Sequence, residues 1–243
     1  MRIAEKARPM KLLRTTVALV FAMISSTTFA SILVKSGEKI AFLGDSITQA
    51  GWDNPKGYVH LVVEGLAVNG VNVEAVPAGI SGHKSNDMLG RLERDVTSKK
   101  PNWMTLSCGV NDVWHGANGV SLPDYKKNIT AILDKAAAAK VRVVVTTATV
   151  IKEDLNSPEN VKLAPYNAFL RALASQRRAP LADLNAMFQA RIKAANQPGK
   201  NVFTGDGVHM NPEGDKIMAS GILKAFGLDQ MQMKKAEDKW AGK

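Results

Sequence analysis

The chain has 243 residues, 45% of them hydrophobic and 22% charged, which excludes a disordered chain and allows one large domain with a buried core. Its formal charge of +10 rests on scattered lysines and arginines without interleaved aromatics, so a solvated surface is expected and no nucleic-acid partner. The single Cys108 excludes an intramolecular disulfide and a thiolate metal cluster; at the end of an apolar run it reads as a small core residue.

Residues 1–30 read as a secretory signal peptide. Arg2, Lys6, Arg8, Lys11 and Arg14 form a basic region, residues 16–24 are mostly apolar, and Thr28-Phe29-Ala30 offers small residues for cleavage. The apolar stretch is well short of the roughly 20 residues a bilayer span needs. A mature chain from Ser31 is therefore expected, periplasmic or secreted, without stable membrane insertion. A start at Met10 would give a more conventional leader length, and the choice between Met1 and Met10 stays open. Removing residues 1–30, with five basic residues and one acidic, lowers the formal charge from +10 to +6.

Residues 40–43 form a short apolar run that stops at Gly44-Asp45-Ser46, the pattern of a buried parallel strand with a polar cluster at its carboxyl end. Open α/β sheets place their sites at that edge. Taken alone, Asp45 or Ser46 also suits a helix cap. A turn-rich loop, residues 50–58, leads to a helix at 59–69. A second strand is expected at 71–76, with residues 77–82 as the loop leaving it, and a helix at 85–98. The third strand spans 103–108 and is followed by the polar cluster Gly109-Val110-Asn111-Asp112.

Ser121 with Asp124 resembles a capping box opening an alanine-rich helix through residue 139. A β-branched fourth strand follows at 141–147, then a loop containing Pro158, a helix at 163–175, a short fifth strand at 180–184 and a helix at 186–195. Asn211-Pro212 reads as the cap and first residue of a helix ending near 226. Alternating strands and helices predict one three-layer α/β domain over residues 31–228 with right-handed crossovers. Residues 229–243 read as a polar C-terminal tail, frayed or loosely docked as a helix.

A serine hydroxyl needs a base to become a nucleophile. Of the four histidines, His60 falls in a helix and His83 and His115 in rim loops, while His209 has Asp206 three residues before it on the same turn. Asp206 can accept from one ring nitrogen and leave the other free for the Ser46 proton.

Gly44-Asp45-Ser46-Ile47, Ile80-Ser81-Gly82, Gly109-Val110-Asn111-Asp112 and Asp206-Gly207-Val208-His209 together resemble, in order and spacing, the four blocks of the SGNH (GDSL) hydrolase superfamily. The resemblance implies a flavodoxin-like sheet of five parallel strands and Ser46, Asp206 and His209 as catalytic residues. It also implies an oxyanion hole of Ser46 N–H, Gly82 N–H and the Asn111 amide, and ester hydrolysis without a metal or other cofactor. His83-Lys84 departs from the short polar or acidic pair common at that place, which bears on substrate contacts rather than on the chemistry. Trp52, His83, Trp114 and His115 are candidate substrate-binding residues; for the two indoles, packing across the rim is an equal expectation.

The expected function is a serine esterase removing a small acyl group, such as acetate on a carbohydrate, from a small-molecule or carbohydrate ester. Lysophospholipid or thioester hydrolysis is the alternative within the same chemistry. A non-catalytic binding module on the same fold is a second class, and a flavodoxin-like phosphate binder a third. The last is disfavoured because the loop after the first strand has no glycine-rich cradle with a following lysine.

Overall fold

The computed structural model describes residues 31–242 together with Met1 and Ala4, so the expected signal peptide lies almost wholly outside the described residues. Five strands form one parallel sheet: β1 (Lys39–Gly44), β2 (Glu74–Gly79), β3 (Trp103–Leu106), β4 (Arg142–Thr146) and β5 (Leu181–Ala182). The order β2-β1-β3-β4-β5 is the flavodoxin-like one. Ile40, Ala41, Phe42, Leu43, Met104 and Val144 are fully buried, as central parallel strands covered on both faces require.

The second strand lies later than the alternation at 71–76 suggested, and it runs through Pro77. Glu74 N–H donates to Glu38 and Ile80 N–H to Gly44, so the even-numbered positions face β1 and the nitrogen of Pro77 faces away from it. On an edge strand that nitrogen removes no ladder bond, and the proline is tolerated.

Helices α3 (Ser85–Asp95), α5 (Leu122–Ala138) and α6 (Pro158–Arg177) pack together on one face of the sheet. On the other, α8 (Pro212–Ala225) packs against α2 (Tyr58–Ala67) and α7 (Leu184–Ala195), with α1 (Ser46–Asp53) beside α2. The short α4 (Val110–Trp114) abuts α6. Ser121 caps α5 by accepting from Asp124 N–H, and Asn211 caps α8 by accepting from Glu213 and Gly214 N–H. Helix α6 begins a turn earlier than its apolar pattern, because Ser157 caps it and Pro158 takes the first position, where a missing N–H is harmless.

The C-terminal stretch is better ordered than a polar tail. Asp229 and Gln232 form a capping box for α9 (Gln230–Ala241), which buries Met233, Ala236 and Trp240 and packs against α2 and α8. Gly65 of α2 allows this approach, since a side chain there would press on Ala236, Trp240 and Leu223. The charged residues that made the stretch look solvated lie on the outer face of α9. Among the described residues no helix is long and apolar enough to cross a membrane.

Candidate active site

Helix α1 starts at once after β1, with Ser46 as its first residue, and runs to Asp53 into the loop expected at residues 50–58. Asp45 is the cap: its buried carboxylate accepts from Ile47 N–H at 3.0 Å. Capping therefore falls on Asp45, and the half-buried Ser46 keeps its hydroxyl for other partners. Gly44 makes the tight turn possible, because the Thr48 side chain occupies the space a Cβ would need. Ser46 N–H, at the helix start, has no intrahelical partner.

The loop before α8 brings His209 to this point. Its Nε2 lies 2.9 Å from Ser46 Oγ and its Nδ1 lies 2.7 Å from Asp206 Oδ2. Asp206 Oδ1 accepts from the backbone N–H of Val208 at 2.9 Å and of His209 at 2.8 Å, so the turn itself orients the carboxylate. An ionised carboxylate only accepts, which puts a proton on Nδ1 and the Nε2 lone pair toward Ser46. Burial works to raise the Asp206 carboxyl, but the hydrogen bonds from the His209 ring and from His209 and Val208 N–H outweigh it and hold the group at about 2. Asp206 is thus an anion over the whole physiological range.

Sequence reasoning missed the residue that shapes this loop. Glu153, buried in the segment after β4, accepts from Val202, Phe203 and Thr204 N–H, each at 2.8 Å, and from Thr204 Oγ1 at 2.7 Å. One carboxylate organises a three-residue arc just upstream of Asp206. Its partners lie about 50 positions away, so no local pattern marks it.

Gly82, with φ of +76°, stands in the loop after β2, and its N–H has no acceptor among the described residues. Asn111 is the second residue of α4; its Nδ2 donates to the His83 carbonyl at 3.1 Å, which leaves the second amide hydrogen unused by that bond. Asp112 accepts from Ser85 N–H at 3.0 Å and thereby joins the Asn111 loop to the start of α3. Asp45 and Asp112 thus hold the rim loops through backbone hydrogen bonds.

The ancillary candidates divide. Trp52 is partly buried and stacks on His60 at 4.9 Å, while His60 Nε2 bonds the Trp52 carbonyl at 2.7 Å, so this pair is at least in part packing. Trp114 and His115 are exposed at the end of α4, and no hydrogen bond joins either to Ser46, Asp206 or His209. His83 is fixed at both ring and carbonyl, its ring nitrogen Nδ1 accepting from Arg91 Nε at 2.9 Å. Sequence reasoning passed over Arg91, although an arginine three residues after Met88 on an apolar stripe was a visible signal. Beneath the rim, burial pushes the Asp45 carboxyl up to about 6, raises that of Asp112, and raises the Cys108 thiol, which is inert there as a core residue.

A serine, a histidine and an aspartate hydrogen-bonded in series at the carboxyl rim of a parallel sheet are the constellation of a serine hydrolase. Within that class the model of the GDSL-like lipase/acylhydrolase family matches residues 42–217, and the chain belongs to this family of ester hydrolases. An acetylxylan esterase of Geobacillus stearothermophilus is 26% identical over 215 residues, covering 81% of this chain and 97% of that protein. The crystal structure of an acetyl xylan esterase, AlAXEase, aligns with a TM-score of 0.71 at 33% identity, over 77% of this chain and 98% of that one. Esterase TesA of Pseudomonas aeruginosa is 30% identical over 126 residues, half of this chain and 61% of that protein.

Proposed function

We propose that the protein is an exported serine esterase that removes acetyl groups from carbohydrate esters, with Ser46 as nucleophile, His209 as general base and Asp206 as its orienting partner. The observation that carries this is the relay of Ser46 Oγ, His209 Nε2 at 2.9 Å, and His209 Nδ1 to Asp206 Oδ2 at 2.7 Å. His209 takes the Ser46 proton as Oγ attacks the acyl carbon, and the oxyanion that develops is met by Ser46 N–H, Gly82 N–H and Asn111 Nδ2. The imidazolium then protonates the leaving alcohol. Water, deprotonated by the same ring, releases the carboxylic acid from the acyl-enzyme and restores the Ser46 hydroxyl.

The small acyl group and sugar leaving group are supported by the names of two relatives that align over most of the chain, both acetylxylan esterases. Exposure of the His209 and Asp206 side chains, 46% and 56%, supports them too, since an open rim suits a bulky leaving group lying at the surface. Export is supported by the basic, apolar and small-residue order of residues 1–30. The second reading is hydrolysis of longer acyl chains from lysophospholipids or thioesters through the same relay; the partial relative Esterase TesA supports ester hydrolysis and names no acyl group.

A series of p-nitrophenyl esters of increasing chain length beside acetylated xylo-oligosaccharides tests the assignment. Fastest turnover of the acetyl ester and release of acetate from the oligosaccharide are expected, both abolished by Ser46→Ala. Preference for long acyl chains with acetylated sugars untouched would establish the second reading. An unchanged Ser46→Ala variant would rule out Ser46 as the nucleophile, and a wild type that turns over none of these esters would leave only a binding module.

A further inference from the structure

Beneath the rim lies an arginine that the proposed chemistry does not use. Arg91 of α3 is 5% exposed, and its guanidinium donates in three directions. Nη2 reaches the Gly44 carbonyl at 2.8 Å, Nη1 reaches the Ala78 carbonyl at 2.8 Å and Asp95 Oδ2 at 3.0 Å, and Nε reaches His83 Nδ1 at 2.9 Å. Gly44 ends β1 just before Asp45 and Ser46, and Ala78 stands near the end of β2 just before the Gly82 loop. One planar group therefore fastens two strand ends and the residue that follows Gly82.

We propose that Arg91 is a positioning residue for the oxyanion side of the site, holding His83 in a single tautomer so that the neighbouring Gly82 N–H keeps a fixed place relative to Ser46. A guanidinium does not lose its proton and has no acceptor, so His83 Nδ1 must offer its lone pair and the ring proton sits on Nε2. The other end of His83 is held as well, since its carbonyl accepts from Asn111 Nδ2. Gly82 itself has no such support: its φ is +76° and nothing lies within 4 Å of where its side chain would be. The loop is located by its neighbours: Ser81 N–H donates to Gln49 Oε1 at 2.8 Å on one side, and on the other His83 is held at ring and carbonyl and its N–H donates to the Ile80 carbonyl at 3.3 Å.

Stability alone does not call for a cation here. Burying a charged pair is often no better than burying apolar groups of the same volume, whereas an apolar side chain cannot donate to two strand ends and a ring at once. The charges that act most strongly on His83 are those of Arg91, Asp87, Arg94 and Asp95, all on α3. Burial and the Arg91 charge together lower the His83 pKa, which keeps the ring neutral and the tautomer single.

The test combines a spectroscopic and a kinetic readout on the purified protein, and it rests on the oxyanion role of Gly82 proposed above. Long-range ¹⁵N–¹H spectra, with His83 assigned through His83→Gln, should show an unprotonated Nδ1 and a protonated Nε2 in the wild type. Arg91→Met should give mixed tautomers and lower kcat on p-nitrophenyl acetate by roughly 10–100-fold through loss of positioning, with KM within about threefold. Arg91→Lys should not restore kcat, because an ammonium lacks the planar fork. Should Arg91→Met fail to fold, His83→Ala removes the ring alone and is expected to lower kcat about tenfold in the same pattern. A protonated Nδ1 in the wild type would overturn the proposal, as would wild-type kcat in a folded Arg91→Met or His83→Ala, or a loss confined to KM. An active Ser46→Ala would instead overturn the serine-nucleophile reading and leave the wild-type tautomer untouched.

Discussion

His209 Nε2 stands 2.9 Å from Ser46 Oγ although 163 residues separate them in the chain, and Asp206 aims the ring from the opposite side. Asparagine at 206 would still accept from Val208 and His209 N–H, but its amide nitrogen would face His209 Nδ1 and push the ring proton onto Nε2. With His209 as base, Asp206→Asn should lower kcat by about 10²–10⁴ and also cost some stability above pH 4, where the hydrogen bonds to the carboxylate are charge-assisted. Steady-state kinetics beside thermal unfolding check this; wild-type kcat would rule out the orienting role.

Asn111 already spends one amide hydrogen on the His83 carbonyl. If the other meets the oxyanion, Asn111→Ala loses an interaction made in the transition state, and kcat should drop by roughly 10²–10³, about 2.7–4 kcal/mol, with little change in KM. The lost bond to His83 should cost only about 0.5–1.5 kcal/mol of stability. A well-folded variant with undiminished kcat would exclude Asn111 from the oxyanion hole.

Asp45 is held at about 6 in the folded protein, chiefly by burial. The folded state therefore binds a proton that the unfolded chain has released, and stability falls as pH rises from about 4 through about 6. Asp215, raised to about 6 by burial, adds to the same trend, whereas Asp206, held at about 2, contributes stability that is lost only as pH falls from about 4 through about 2. Asp45→Asn keeps the cap on Ile47 and removes the buried charge. It should stabilise the protein at pH 8 by up to about 3 kcal/mol and leave it unchanged at pH 4. Urea unfolding at both pH values decides the matter, and equal shifts at the two would contradict it.

Among the described residues Glu153 alone accepts from the three successive backbone N–H groups of residues 202–204. Glu153→Gln puts a donor among donors and removes the charge, so about 2–4 kcal/mol of stability should be lost. Because those residues lead directly to Asp206 and His209, hydrogen exchange should rise first at 202–210 and kcat should fall with it. Unaltered exchange in that loop would show that Glu153 does not organise it.

Much of the site could be read from local order. Gly44-Asp45-Ser46 and Gly109-Val110-Asn111 are polar clusters at the ends of apolar runs, a pattern set by strand period and by the need to end a buried strand in a turn. Asp206 and His209 share one turn, so their pairing follows from a spacing of three residues. Other readings missed for physical reasons. The second strand was placed too early because Pro77 looked like its end, and only its outward-facing nitrogen on an edge strand makes it tolerable. Helix α1 takes the first part of the loop expected at residues 50–58, since the Asp45 cap and the close seat on Gly44 outweigh the turn-forming residues as far as Asp53, and only residues 54–57 remain a turn.

The sequence by itself determined which elements form, their alternation and hence the parallel sheet, and which loops bear chemically useful groups, because these depend on interactions within a few residues of chain. Tertiary structure alone decided the 2.9 Å approach of His209 to Ser46, the hold of Glu153 on the loop that delivers it, and the Arg91 tie between two strand ends and His83. It also decided that the polar C-terminal stretch docks as α9 through Met233, Ala236 and Trp240. Each of these joins groups distant in the chain, and their geometry exists only once the sheet and its flanking helices have packed.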